Sequence, residues 1–164
     1  MRIVTRVSAV VAALLSLATA AQAQSANITA TATVFTPITI TGTRNLDFGN
    51  VFPGVNKTIA VAAATSGQYQ LGGQAGANVN LTFTLPTNLT SGANNLPIGT
   101  WTGCHAATNN TTGCTTFTPS GSATASAFSG TGALFVWVGG TVTPAANQAA
   151  GTYNGTVTLT AAYF

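Results

Sequence analysis

The sequence predicts an all-β protein, and three observations support this prediction. Beyond the first two dozen residues no segment shows the hydrophobic period of a helix, whereas short β-branched and apolar runs recur along the chain. Glycine, proline and asparagine separate these runs. Their spacing gives about eight to ten short strands. Strands of this number and spacing are typical of an immunoglobulin-like β-sandwich.

The first 23 residues have the features of a secretory signal peptide. Arg2 and Arg6 precede an apolar stretch from Val7 to Ala18, and Ala21-Gln22-Ala23 forms a small-x-small cleavage site. The apolar stretch is shorter than the roughly 20 residues that a membrane-spanning helix needs. We therefore expect export, cleavage behind this site, and no membrane span in the mature chain of residues 24–164.

The stretch Asn27–Phe35 alternates apolar and polar residues, which predicts a strand with one buried face. The apolar positions of this strand are Ile28, Ala30, Ala32 and Val34. Pro37 interrupts the pattern and marks a bend or a change of partner sheet, because proline cannot donate to a sheet ladder. The mature chain therefore divides into an N-terminal strand segment, residues 24–36, and a β-sandwich domain, residues 37–164.

Further strands of the sandwich domain are assigned from the same alternation and from the turn residues that bound it. Asn78–Leu85 reads as a central strand with one apolar face, and Ala133–Val138 is apolar on both faces, as in a strand buried in the middle of a sandwich. The other predicted strands are residues 38–41, Lys57–Ala63, Tyr69–Leu71, Leu96–Trp101 and a long strand over residues 151–164.

Charge is almost absent from the mature chain. Charged residues make up 3% of the whole sequence, against about a quarter in an ordinary globular protein. Beyond residue 23 only Arg44, Asp47 and Lys57 remain, and Arg44 and Asp47 read as surface or turn residues. Nucleic-acid binding requires clustered lysine and arginine and is therefore excluded. An uncharged surface of Thr, Asn, Ser and Gln suits a protein that packs into an assembly, since little repulsion keeps copies apart.

The titratable residues are too few for most catalytic or metal sites. With one Asp and no Glu, the chain cannot assemble the paired carboxylates of glycoside hydrolysis or a carboxylate-rich calcium site. A Ser-His-Asp triad would need His105 and Asp47, yet the G-x-S-x-G motif is missing. We expect no enzymatic activity, no cofactor and no metal.

Cys104 and Cys114 are the only cysteines. An even pair in an exported chain favours a disulfide, which here would close a short Asn- and Thr-rich loop and rigidify a protrusion. Loop-closure entropy gives such a bond about 2–3 kcal/mol. The alternative is a Cys/His metal site that includes His105, although no carboxylate lies nearby in the sequence.

Three features together resemble a known group of proteins: the alternating N-terminal strand, the motif DFGNVFPG at residues 47–54, and the ending GTYNGTVTLTAAYF at residues 151–164. They resemble the pilin-type domains of archaic chaperone–usher fimbriae and the related spore coat protein U family. They are similar, more closely still, to a family of bacterial exported domains of unknown function that share the DFGNVFPG stretch. The resemblance covers nearly all of the mature chain.

The resemblance implies a pilin-type sandwich that lacks one strand and is completed by strand addition. In a fibre the N-terminal segment of the next copy would fill the gap, and a periplasmic chaperone would fill it before assembly through an outer-membrane usher. The chain would pass through the periplasm to the surface of a Gram-negative-type bacterium. The implied donor residues are Ile28, Ala30, Ala32 and Val34, and the strand at the acceptor groove or facing the chaperone would contribute Tyr153, Val157, Leu159 and Phe164.

Two functions follow from these observations. The first is a structural subunit of a cell-surface fimbria or coat, assembled by β-strand complementation. The alternative is a self-complete, monomeric sandwich in which Asn27–Phe35 pairs within its own chain. Such a monomer would act as a surface or periplasmic carbohydrate-binding or adhesion module, and Trp101 could stack on a sugar.

Overall fold

The structure, a computed structural model, describes residues 23–164, so the predicted signal peptide lies outside the described residues except for Ala23. The described residues contain ten strands and no helix. In chain order the strands are β1 Thr39–Arg44, β2 Lys57–Ile59, β3 Gly67–Gly72, β4 Asn78–Thr84, β5 Asn88–Ser91, β6 Asn94–Ala106, β7 Thr115–Phe117, β8 Thr124–Ala127, β9 Ala133–Val142 and β10 Thr158–Tyr163.

The strands form two antiparallel sheets. In the larger sheet the order is β1-β3-β9-β6-β5, with β2 also beside β9 and β7 also beside β6. In the smaller sheet the order is β10-β4-β8. The two sheets make an immunoglobulin-like β-sandwich, which confirms the predicted fold class. Within residues 23–164 the chain has no helix of the length and hydropathy that a membrane crossing requires.

The main core lies between the two sheets. Strand β4 contributes alternate residues from one side, and β9 contributes alternate residues from the other. In this main core, the fully buried residues of the two strands are Val79, Leu81, Leu134, Val136 and Val138. The predicted central positions of Asn78–Leu85 and Ala133–Val138 therefore agree with the structure, because both patterns reflect burial in the same layer.

A second apolar cluster lies at one end of the sandwich, under loops instead of strands. Its buried residues are Phe48, Ile59, Leu96, Ile98 and Val142. Leu46, Val51 and Tyr153, which belong to irregular segments, pack against it. This end of the larger sheet therefore has no strand of the smaller sheet over it.

The predicted strand at Asn27–Phe35 is not formed. Residues 23–38 carry no strand, and the side chains of Ile28 and Val34 are 95% and 91% exposed. An extended segment becomes a strand only when a neighbouring strand completes its ladder, and none of the ten strands pairs with this one. The alternation predicts a buried face, and residues 23–164 as described do not bury it.

Two predicted strands are shorter than expected. Strand β2 ends at Ile59 because residues 60–66 turn twice, with the amides of Ala63 and Ser66 donating to the carbonyls of Ala60 and Ala63. Strand β10 begins only at Thr158, since the preceding residues 151–157 make one isolated bridge to β5 and otherwise run irregularly.

The loop closed by the Cys104–Cys114 disulfide contacts the outer face of the larger sheet. Cys104 and Gln68 are the two strand neighbours of Trp137, and the three side chains share the outer face of the sheet. Asn109 in the loop accepts a hydrogen bond from the Gln68 amide. The loop therefore crosses two strand spacings, about 10 Å, over Trp137, which is buried on the outer face.

Candidate functional site: an open seam between two strand edges

Strands β1 and β10 each have one neighbour among the described strands. Strand β1 pairs with β3 in the larger sheet, and β10 pairs with β4 in the smaller sheet. The two remaining edges face each other along one side of the sandwich, where the Tyr69 hydroxyl of β3 donates to the carbonyl of Val157 at 2.6 Å. We call the gap between these two edges the seam. An edge without a neighbour presents backbone groups on which a further strand can pair.

The seam is open on the β1 side. Ile40 is the ladder partner of Leu71, which is 1% exposed in the core, so Ile40 also faces the interior of the sandwich. Ile40 is nevertheless 38% exposed. The next inward position is Gly42, where a Cβ atom would meet no other atom within 4 Å. The interior face of β1 therefore lacks a covering layer.

The seam widens into a cleft of about 1090 Å³ beyond Val157. We call this the cleft end, and the opposite end of β10 the Tyr163 end. The cleft has an apolar floor from the second cluster and a rim from the end of β1 and from residues 148–157. Its lining includes Leu46, Phe48, Leu96, Ile98, Tyr153 and Val157. Such a cleft offers apolar contacts together with backbone hydrogen-bonding groups.

Two of the charged residues that the structure describes, Arg44 and Asp47, lie at the cleft end and stabilise the local structure. Arg44 donates from Nε to the Ser66 carbonyl at 2.6 Å and from Nη2 to the Ser66 hydroxyl at 2.7 Å. The Asp47 carboxylate accepts the amide of Gly49 at 2.7 Å, and Gly49 has a φ of 57°. The DFG part of the motif is thus a side-chain-stabilised turn that positions Phe48 in the cleft floor.

The hydrogen-bonding direction of β10 follows from its neighbour. The Phe83 amide of β4 donates to the Ser120 carbonyl at 2.8 Å, which directs Phe83 away from β10. Its ladder partner Leu159 is therefore in a non-hydrogen-bonded pair, and its own N–H and C=O point to the seam. By alternation, the backbone groups of Ala161 also point to the seam.

The structure brings together some of the residues implied for the acceptor strand. Tyr153 and Val157 both line the cleft, although Tyr153 precedes β10 and donates its hydroxyl to the Ala149 carbonyl at 2.8 Å. Leu159 is buried in the main core. Phe164 follows the last strand and is 66% exposed at the Tyr163 end, away from the cleft.

Sequence reasoning did not find Ile40, Gly42 or Tyr69. For Ile40 the available signal was the predicted strand at residues 38–41, in which apolar and polar residues alternate. Tyr69 carried no distinguishing pattern, and burial raises the pKa of its hydroxyl.

The N-terminal segment joins the sandwich at the Tyr163 end. The Phe35 ring packs edge-on against Tyr163 with 5.2 Å between ring centroids, and the Tyr163 hydroxyl donates to the Thr36 carbonyl at 2.6 Å. Thr36 also donates from its amide to Gln74 at 3.3 Å. The four implied donor residues, Ile28, Ala30, Ala32 and Val34, all precede this attachment and are exposed.

The cysteine, histidine and tryptophan candidates all make contacts within the fold. Cys104 and Cys114 are bonded to each other, so neither offers a thiolate to a metal. His105 faces inward, where its Nδ1 lies 3.0 Å from the Ser126 hydroxyl of the smaller sheet. Trp101 is half-buried, and its ring would lie 3.2 Å from a Cβ at Gly140.

Comparison with known proteins gives a family and no assigned activity. No curated protein and no solved structure matches the chain. The model of a domain of unknown function, DUF4402, matches residues 38–163. This match spans all ten strands and leaves out the N-terminal segment. The chain therefore belongs to the DUF4402 family.

Proposed function

We propose that this protein is a structural subunit of a cell-surface fimbria or coat that assembles by β-strand complementation. The observation that carries the proposal is the seam. Ile40 faces the interior of the sandwich yet is 38% exposed, and β1 and β10 leave facing edges. A sandwich with such a gap gains apolar burial and backbone hydrogen bonds when another strand enters it.

The N-terminal segment has the properties of the entering strand. Its alternation gives one apolar face, and this face is small because two of its four side chains are alanines. All four side chains are exposed. No charge lies between residues 24 and 36. Insertion would therefore bury no unpaired ion in the apolar cleft.

The donor residues in this proposal are Ile28, Ala30, Ala32 and Val34, and the partner is another copy of the chain. We extend the proposal to a periplasmic chaperone that covers the seam before assembly, to an outer-membrane usher, and to export to the surface of a Gram-negative-type bacterium. The support for these extensions is the signal peptide predicted from the sequence, the disulfide, and the resemblance to pilin-type and spore coat domains.

The alternative of a carbohydrate-binding or adhesion monomer stays a prediction without a favouring observation. Its candidate stacking residue, Trp101, packs over Gly140 and contacts both apolar clusters.

The proposal is tested with three synthetic peptides of residues 24–36 added to the purified mature protein: the natural sequence, Ala32→Asp and Thr33→Asp. We expect the natural peptide to bind, as measured by fluorescence anisotropy. Burying a carboxylate in the seam costs at least about 3 kcal/mol, so Ala32→Asp should bind at least about a hundredfold more weakly. Thr33→Asp is the matched control on the other face and should stay within about threefold of the natural peptide.

Equal weakening by the two substitutions would contradict the burial of one face alone. Absence of binding by the natural peptide, to a chain shown to be folded and monomeric, would refute strand complementation by this segment.

A further inference from the structure

We propose that the Tyr69 hydroxyl is a latch on the seam, which an incoming strand must displace before it can pair along the whole of β10. This inference rests on the proposed function, since it concerns the same strand site.

The latch is a single hydrogen bond across the sandwich. Tyr69 belongs to β3, and its ladder partners are Gly42 on β1 and Val136 on β9. Val136 is a core residue, so the Tyr69 ring points inward. From there the hydroxyl reaches the smaller sheet and donates to the Val157 carbonyl at 2.6 Å.

The carbonyl that Tyr69 holds is one that an added strand would use. The Val157 carbonyl lies one residue before β10, outside its ladder with β4, and it is directed at the Tyr69 hydroxyl across the sandwich. That direction is toward the seam. A strand added at this edge would place an N–H where the Tyr69 hydroxyl now lies.

The same side chain divides the seam in two. Towards the Tyr163 end the seam runs past Ile40, and on the other side it opens into the cleft, which Tyr69 itself lines. A strand that fills both parts has to pass the position of the hydroxyl. In the closed position Tyr69 therefore limits pairing to the Leu159–Tyr163 part of the edge.

Gly42 gives the ring room to move. It lies opposite Tyr69 in the ladder, and no atom comes within 4 Å of the place a Cβ would occupy. The open space beside Gly42 is therefore available to the Tyr69 ring when it leaves the Val157 carbonyl, as a latch requires.

The test compares peptide binding to three full-length mature chains: wild type, Tyr69→Phe and Ser126→Ala. The probe is the fluorescent peptide of residues 24–36. Tyr69→Phe keeps the ring and removes the bond that binding must break, so we expect affinity to rise about two- to tenfold, mainly through faster association. Ser126→Ala is the matched control, because it removes a hydroxyl that bonds to His105 across the two sheets on β8, at the other edge of the smaller sheet from β10, and it should leave the affinity within about twofold.

The outcomes separate the latch from the proposed function. If wild type binds the peptide and Tyr69→Phe binds equally well or more weakly, the latch is refuted and strand complementation stands. If no chain binds the peptide, both are refuted.

Amide hydrogen exchange supplies a second readout. Peptide binding should protect the amides of Leu159 and Ala161 from exchange in wild type. In Tyr69→Phe the same protection should be reached at a lower peptide concentration. Tyr69→Met provides another hydroxyl-free chain, and circular dichroism checks that each variant is folded.

Discussion

Filling the seam with a side chain of the protein itself should block complementation without unfolding the chain. Gly42→Phe is the sharpest such change, because Gly42 faces the open interior of β1 and a Cβ there meets nothing within 4 Å. Its backbone also lies outside the left-handed region, so a larger residue fits without strain. The new ring would occupy the place of an incoming side chain.

The expected magnitudes differ between the free and the complemented protein. Replacing a strand glycine removes a cost of about 0.5–1 kcal/mol, so the free energy of unfolding of the free chain should stay constant or rise by about that amount. Overpacking of a filled seam costs about 1–3 kcal/mol, which corresponds to about five- to 150-fold weaker binding of the 24–36 peptide. Urea denaturation and fluorescence anisotropy measure the two quantities.

The matched control is Gly99→Phe. Gly99 also lies in a strand and also has open space at its Cβ position, yet its neighbour Ile98 is the inward-facing residue, so Gly99 points outward. We expect peptide binding by this variant to equal that of wild type. Unchanged binding by Gly42→Phe, or equal loss in both variants, would refute the assignment of the seam as the strand site.

Two further predictions concern stability. His105 is the only histidine, and burial lowers its pKa, so the folded state favours the neutral ring that bonds to Ser126. The contribution of His105 to the free energy of unfolding should be complete above the unfolded pKa of about 6.5 and be lost as the pH falls below that value. A His105→Asn chain whose stability keeps the same pH dependence would contradict this. Reduction of the Cys104–Cys114 bond should lower the free energy of unfolding by about 3 kcal/mol, as measured by urea titration, and should expose Trp137 to solvent. An unchanged unfolding curve would contradict this.

The sequence was informative where the determinants of structure are local. Strand β4 and the first part of β9 were predicted because their apolar patterns match the layers on either side of them. The cysteine pair predicted the disulfide. The course of its loop over Trp137 was not predicted, because it depends on a contact between Asn109 and Gln68, which lie on distant parts of the chain.

The site was predicted only in part for the same reason. Tyr153 and Val157 came from the resemblance of the terminal motif, and both line the cleft. Ile40, Gly42 and Tyr69 come together as a candidate site only through the register of β1 on β3 and the gap opposite, which no local pattern encodes. Asn27–Phe35 shows the converse, since its pattern is that of a strand whereas none of the ten described strands pairs with it.

The attachment of Thr36 to Tyr163 fixes the symmetry of any assembly built through the seam. Strand β10 runs from the cleft end to the Tyr163 end. If a neighbour's segment pairs antiparallel to β10, its Thr36 and the sandwich that follows Thr36 lie at the cleft end of the first copy. The Tyr163 end of one copy then meets the cleft end of the next, and the contact repeats without closing. A segment that enters parallel to β10 brings two Tyr163 ends together and closes a two-fold pair. A single choice of strand direction therefore decides between an open filament and a dimer.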